Sequence, residues 1–184
     1  MVLQAIRYSP AKDSSEASLQ ILDQLALPHR STYVGVHTCE DAHAAIRQMR
    51  VRGAPAIAIV AALALAVQLD HELKHDLLPS KAEEAVQLIN HRLEYLITSR
   101  PTAVNLADAV GKLKMVSGKA GQVPEASTKH VVDQYVNTAE DMLVQDVKDN
   151  EAIGEYGAKW IIDRRKGRPD SLQVLTHCNT GYVD

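Results

Sequence analysis

Residues 55 to 69 read PAIAIVAALALAVQL, a run whose only strongly polar side chain is Gln68. It shows no two-residue alternation and is rich in alanine, so it predicts a helix buried on every side. The run falls short of the roughly 20 residues that cross a bilayer, and a core helix is the expectation. Everything else in the chain must then supply its cover. Hydrophobic residues make up 46%, but aromatics only 4%, with no Phe and a single Trp. The cover is therefore built from Ala, Val, Leu and Ile, which suits closely packed helices with a little sheet.

The segments around the run supply that cover. Val2, Gln4 and Ile6 alternate with Leu3, Ala5 and Arg7, a Ser-rich charged loop spans 9 to 17, and Leu19, Ile21 and Leu22 lead to Pro28. Thr32, Tyr33 and Val34 add a short β-prone stretch, so small antiparallel strands are expected before residue 38. Ala42, Ala45, Ile46 and Met49 then recur at helical spacing, with Thr38 and Asp41 placed to cap. Gly53 and Pro55 interrupt the chain before the apolar helix, and Pro79 and Ser80 after it. Ala85 to Ile97 reads as an amphipathic helix ending before Pro101, and Ala103 to Leu113 as the next. Residues 117 to 127 read as a polar loop. A helix from Val132 to about Asn150 is followed by a separate one carrying Ile153, Gly157, Trp160 and Ile161, with Gly167 as a stop. Leu172 to Thr176 reads as a strand. A lone parallel strand cannot satisfy its backbone, so the expectation is the truncated start of a second domain.

The net charge of −3 shows no basic surplus, and nucleic acid is not an expected partner. Cys39 and Cys178 lie far apart and give no disulfide or zinc pattern. The start, MVLQAIRYSP, has no signal-peptide layout. A soluble, intracellular chain without membrane contact is expected.

Four constellations carry potential chemistry. In Val51-Arg52-Gly53-Ala54-Pro55-Ala56 an arginine and a glycine precede a proline-led helix start. The free amides and the positive dipole end of such a start suit an anion, and arginine grips phosphate bidentately. Spacing alone favours a plain turn with a solvated arginine. Arg100-Pro101-Thr102-Ala103-Val104-Asn105 repeats the arrangement and alone reads better as a simple helix junction, while two such starts together add weight to a shared anion site. Thr176-His177-Cys178-Asn179-Thr180-Gly181 puts a thiol at the carboxyl end of a strand, where open α/β sheets bind ligands. A structural cysteine in a turn fits that chemistry equally well. His71-Glu72-Leu73-Lys74-His75 matches H-E-x-x-H, with Glu94 downstream as a third zinc ligand. With 8 His in the chain and the match at a polar helix tail, no metal is expected there. Glu83-Glu84, Glu140-Asp141 and Asp146-Asp149 read as solvated faces.

Taken in order, RYSP, SLQILDQLALP, MRVRGAPAIAIVAALALAV, LITSRPTAVNL, AEDMLVQDVKDNEAIGEYGA and VLTHCNTG resemble the 5-methylthioribose-1-phosphate isomerases, from about residue 3 to Gly181. That family sits in a wider group with ribose-1,5-bisphosphate isomerases and regulatory subunits of initiation factor 2B. The resemblance implies an α+β amino-terminal domain over residues 1–145, mostly helical with small antiparallel strands. Residues 146–184 would be a linker helix and the first strand of an incomplete Rossmann-like α/β domain. It implies conversion of an aldose phosphate to the ketose in methionine salvage, without a cofactor. Arg52, Gly53, Ala54 and Arg100 would bind the substrate and its phosphate, and Cys178 would be the catalytic cysteine. A second catalytic group, an aspartate, belongs to the family's carboxyl-terminal domain, and Asp184 does not occupy its position. Little activity is therefore expected from this chain alone. The resemblance further implies a homodimer for the full-length family, and a cytoplasmic location with the nucleus as a second one. Two alternatives stand beside it: a non-catalytic regulatory module, against which Cys178 speaks, and a ribose-1,5-bisphosphate isomerase.

Overall fold

The computed structural model describes residues 4–12 and 15–164. The expected strand at 172–176, the Rossmann-like start and Cys178 lie outside the described residues.

Three short strands come first. β1 (Ile6–Ser9), β2 (Ser18–Leu22) and β3 (Tyr33–Gly35) form an antiparallel sheet in that order, with Ile6 opposite Ile21 and Ile21 opposite Val34. The period-2 pattern puts Leu19 and Ile21 into the core and leaves Arg7 and Gln20 outside. Arg7 lies over the Tyr33 ring on that outer face.

Five helices follow. α1 (Cys39–Arg47) opens with the expected capping box: Thr38 accepts from the Asp41 amide, and Asp41 accepts in return from the Thr38 amide. α2 (Ala54–Lys74) is the apolar run extended by a polar last turn. It is long and apolar enough to cross a membrane, yet 67% of its most apolar window is buried against the chain's own elements. Every residue from Ile57 to Val67 is buried, enclosed by α1, α4, α5 and β2. The alanines let neighbouring helices close in, while Leu63 and Leu65 fill the remaining volume. Cutting Leu63 to Ala would cost about 2–5 kcal/mol.

The helix α3 (Ala82–Ile97) matches expectation. α4 (Val104–Gly121) does not: it continues through the first five residues of the expected loop. Its small residues are packing residues, since Ser117 and Ala120 are buried and a Cβ on Gly121 would meet Val86 Cγ2 at 2.7 Å. α5 (Thr128–Arg164) is a single helix where two were expected. Asn150, near which the first of them was expected to end, donates from its side chain to the Asp146 carbonyl one turn back, inside the helix. Gly154 and Gly157 weaken this part by about 1 kcal/mol each relative to Ala, but no proline breaks it. Full burial along α5 runs through Val131, Val132, Tyr135 and Ala139, and Met142 and Leu143 beyond them are partly buried against the core. Tyr135 donates to the Ala62 carbonyl at 3.2 Å from full burial, which holds its phenol well above the usual range.

At the end of the apolar run the polar side chains tie three helices together. The Cys39 amide donates to Gln68, Gln68 donates to Glu72, and Arg92 of α3 grips Glu72 with two bonds of 2.6 and 2.7 Å. A bidentate pair this well covered contributes packing specificity, and removing one partner would cost about 3–5 kcal/mol.

Candidate functional site

Both arginine-led segments are loops at one end of the helical body. Between α1 and α2, Met49 turns into the left-handed region at φ 59° and the Arg50 amide returns to the Ala45 carbonyl. Val51 is buried and anchors the loop. Arg52 is half-buried, and its Nε donates to the Met49 carbonyl at 3.2 Å. Gly53 then takes φ 97°, a conformation that side chains strain to adopt. A Cβ there would meet nothing closer than Ala56 at 3.8 Å, so the backbone and not space demands glycine.

Between α3 and α4, Ser99 and Thr98 bond back to the Leu96 and Tyr95 carbonyls at 2.6 Å, closing α3. Arg100 follows, half-buried, and the Ala103 amide donates to its carbonyl. The two loops are joined through α1: His43 bonds Thr98 at 3.0 Å and stacks on Tyr95.

The helices these loops lead into share one cavity of about 320 Å³. Pro55, Ala58 and Ile59 line it from α2, and Asn105, Asp108, Ala109 and Lys112 from α4. Met142, Gln145, Asp146 and Asp149 complete it from α5. The first turns that sequence reading paired therefore do come together. Arg52 and Arg100 themselves sit upstream of the lining residues.

Electrostatics divides this region. Three carboxylates against one ammonium make the interior of the cavity a poor place for a dianion. The helix starts are the opposite. Neither α2 nor α4 has a side-chain cap or an acidic residue in its first turn, so the amides of Ala54 and Ala56, and of Val104 and Asn105, have no intrahelical partner. Free donors, two dipole ends and two arginines can hold a phosphate, with the polar cavity taking what is attached to it.

Several readings change in the fold. Asp146 and Asp149 line the cavity and are not merely a solvated face. Glu140 is half-buried and accepts from Tyr8 at 2.7 Å, and burial, followed by this bond to a carboxylate, pushes the Tyr8 phenol well up. Glu72, the base in a zinc-peptidase reading, is held by Arg92, and Glu94 by Lys114 at 2.8 Å. The carboxylate that does meet His71 and His75 is Glu16, which no local spacing announces. Burial pushes the Cys39 thiol up to about 12, so it is no nucleophile at neutral pH. Cys178 is the other cysteine in the sequence.

Comparison with known proteins places these features. The pattern of the Initiation factor 2 subunit family matches residues 50–184. Methylthioribose-1-phosphate isomerases from Pyrenophora tritici-repentis and Aspergillus terreus are 52% and 49% identical over the whole chain, which covers 44% and 47% of their lengths. The chain thus spans about half the length of the curated relatives it matches. Among solved structures, 5-methylthioribose 1-phosphate isomerase from Pyrococcus horikoshii superposes with a TM-score of 0.73 at 26% identity, covering 86% of this chain and 40% of that one. The delta subunit of translation initiation factor eIF-2B from A. fulgidus gives 0.70 at 26% identity, covering 86% and 42%.

Proposed function

The chain belongs to the Initiation factor 2 subunit family, and on that premise we propose that it supplies the phosphate-binding part of a methylthioribose-1-phosphate isomerase. One observation carries the reading: two uncapped, arginine-led helix starts opening on a single cavity. The identity of 52% and 49% to enzymes of that name supports it.

On this reading Arg52 and Arg100 clamp the phosphate of 5-methylthioribose 1-phosphate against the amides that follow Gly53 and Ala103. The Gly53 backbone and the Ala54 amide are the closest approach. The phosphate oxygen occupies the anomeric carbon, so the ring must open before hydrogen moves between carbons 1 and 2. The conversion of aldose to ketose is redox-neutral and calls for no external electron carrier. Holding the phosphate fixes the two carbons relative to the acid/base groups, which is where positioning lowers a barrier. Cys178 is the proposed catalytic thiol. By resemblance an aspartate in the relatives' carboxyl-terminal domain is its counterpart, and loss of such a group costs about a hundred- to ten-thousand-fold.

The division into residues 1–145 and 146–184, the second a linker helix leading into a Rossmann-like strand, belongs to the same proposal. It is supported by the packing of α5 on the core, which is full to Ala139 and partial at Met142 and Leu143. A homodimer of the family's full-length form, in the cytoplasm and also the nucleus, completes it. A non-catalytic module is the second reading, favoured by the likeness to an initiation-factor subunit.

Phosphorus NMR of the chain with 5-methylthioribose 1-phosphate separates them. The sugar phosphate resonance is expected to shift saturably, and any conversion to the ketose to vanish in Cys178→Ala. A resonance unmoved at millimolar chain would reject the isomerase reading, and turnover that survives Cys178→Ala would reject the assigned thiol.

A further inference from the structure

The carboxyl-terminal turn of α2 carries a cluster remote from the arginine-led loops. His71 Nδ1 lies 3.1 Å from one oxygen of Glu16, and His75 Nε2 lies 3.0 Å from the other. The imidazoles are one helical turn apart with centroids 4.4 Å from each other. All three donor atoms fall within 4.8 Å of one another. Each side chain is about half exposed, at 51%, 53% and 46%.

Exposed histidines beside a glutamate are common, and proximity alone would carry nothing. The support beneath Glu16 is what distinguishes this cluster. Its two neighbours in the chain are both pinned to α2. The Ala17 amide donates to Asp70 Oδ2 at 2.9 Å, and Lys74 Nζ donates to the Ser15 carbonyl at 2.9 Å. Lys74 also bonds Asp70 at 3.1 Å, so its charge is already countered and does not oppose a cation nearby. A loop residue is thus brought to a helix face and held there from both sides, as the outer shell of a metal site holds its ligands.

From this geometry we propose that Glu16, His71 and His75 form a surface site for a divalent transition ion of the zinc class, with the remaining position open to water. Two imidazoles and a carboxylate are a ligand set for Zn²⁺, Co²⁺ or Ni²⁺ rather than for Ca²⁺ or Mg²⁺. Tetrahedral bonds of about 2.0–2.1 Å set donors roughly 3.4 Å apart, so from a spread within 4.8 Å the widest pair draws together by up to about 1.4 Å. Half-exposed rings make that movement by rotation. On binding, His71 Nδ1 and His75 Nε2 give up the hydrogens they share with Glu16. A neutral ring then carries its proton on the other nitrogen, and an imidazolium releases one. Without metal, the hydrogen bonds from His71 and His75 hold the Glu16 carboxyl below its ordinary range. The site is not a peptidase centre, because Glu72 points into its pair with Arg92. Its effect is to staple the loop before β2 to the end of α2.

The test is Co²⁺ and Zn²⁺ titration of the chelator-treated chain by calorimetry, with the histidine ring resonances followed as Co²⁺ is added. The expected result is one ion per chain and selective broadening of His71 and His75. Affinity should fall about a hundred-fold or more in His71→Ala and His75→Ala, and about ten-fold in Asp70→Asn, which touches the ion only through Ala17 and Lys74. Cys178→Ala should leave it unchanged. Binding that survives both histidine substitutions, binding that disappears with Cys178, or none below millimolar metal would each overturn the proposal.

Discussion

The starts of α1 and α5 differ from those of α2 and α4. At α1 the Thr38 hydroxyl and the Asp41 carboxylate satisfy each other's backbone, and at α5 the Ser127 hydroxyl accepts from the His130 amide. These helices begin closed. α2 begins after Gly53 and α4 after Ala103, with no capping oxygen and no acidic residue in the first turn. Their donors are left over, next in sequence to Arg52 and Arg100, and Pro55 and Asn105 of the same first turns line one cavity. The start of α3 also lacks a side-chain cap, but Glu83 and Glu84 stand in its first turn, so among the five described helices only α2 and α4 begin with neither a cap nor an acid. A cap can be read as structure, while a missing cap next to arginine reads as a site.

The comparison can be broken in a definite order of size. The largest effect should come from the Arg52→Ala, Arg100→Ala pair. Each hydrogen bond from a charged donor is worth about 1.5–3 kcal/mol, so calorimetry should record a loss of sugar-phosphate affinity of a hundred-fold or more, with the circular-dichroism melt little changed. Gly53→Ala comes next. An alanine forced to φ 97° costs about 1–3 kcal/mol, which should appear as a lower Tm together with weaker phosphate binding. Thr38→Ala should cost about 1 kcal/mol through the lost cap, or about 2–4 °C in Tm for a chain of this size, and leave phosphate affinity unaltered. The smallest and sharpest change is Ala103→Asp. A capping carboxylate at α4 should raise Tm by a degree or two while weakening phosphate binding several-fold, because it takes the donors and repels the anion. A cap that stabilised α4 without touching affinity would separate the open start from the site.

Much of this contrast is legible in the sequence, because caps, glycine and proline act locally. Thr38 with Asp41, Gly53 before Pro55, and Arg100 before Pro101 all declare their helix starts within a few residues. What depends on distant neighbours is not legible. Glu16 meets His71 across 55 positions, and the pair of Glu72 with Arg92 removes the one residue that made HELKH suggestive. Ser117, Ala120 and Gly121 read as loop chemistry, yet Ser117 and Ala120 are buried in α4 and a Cβ on Gly121 would strike Val86 of α3. The helix expected to end at about Asn150 runs on, with the Asn150 side chain bonded back to the Asp146 carbonyl inside α5. Asp146 and Asp149 read as a solvated face because no sequence period reveals that α5 passes the starts of both α2 and α4.

The central claim is that open helix starts, and not arginines alone, make the phosphate site. A titration of the ¹⁵N-labelled chain with inorganic phosphate, followed in amide correlation spectra, addresses it directly. The amides of Ala54 and Ala56 in α2 and of Val104 and Asn105 in α4 should move together along one saturating curve, while those of Asp41 and His130 stay still. Equal movement at the starts of α1, α2, α4 and α5, or none at α2 and α4, would contradict the account.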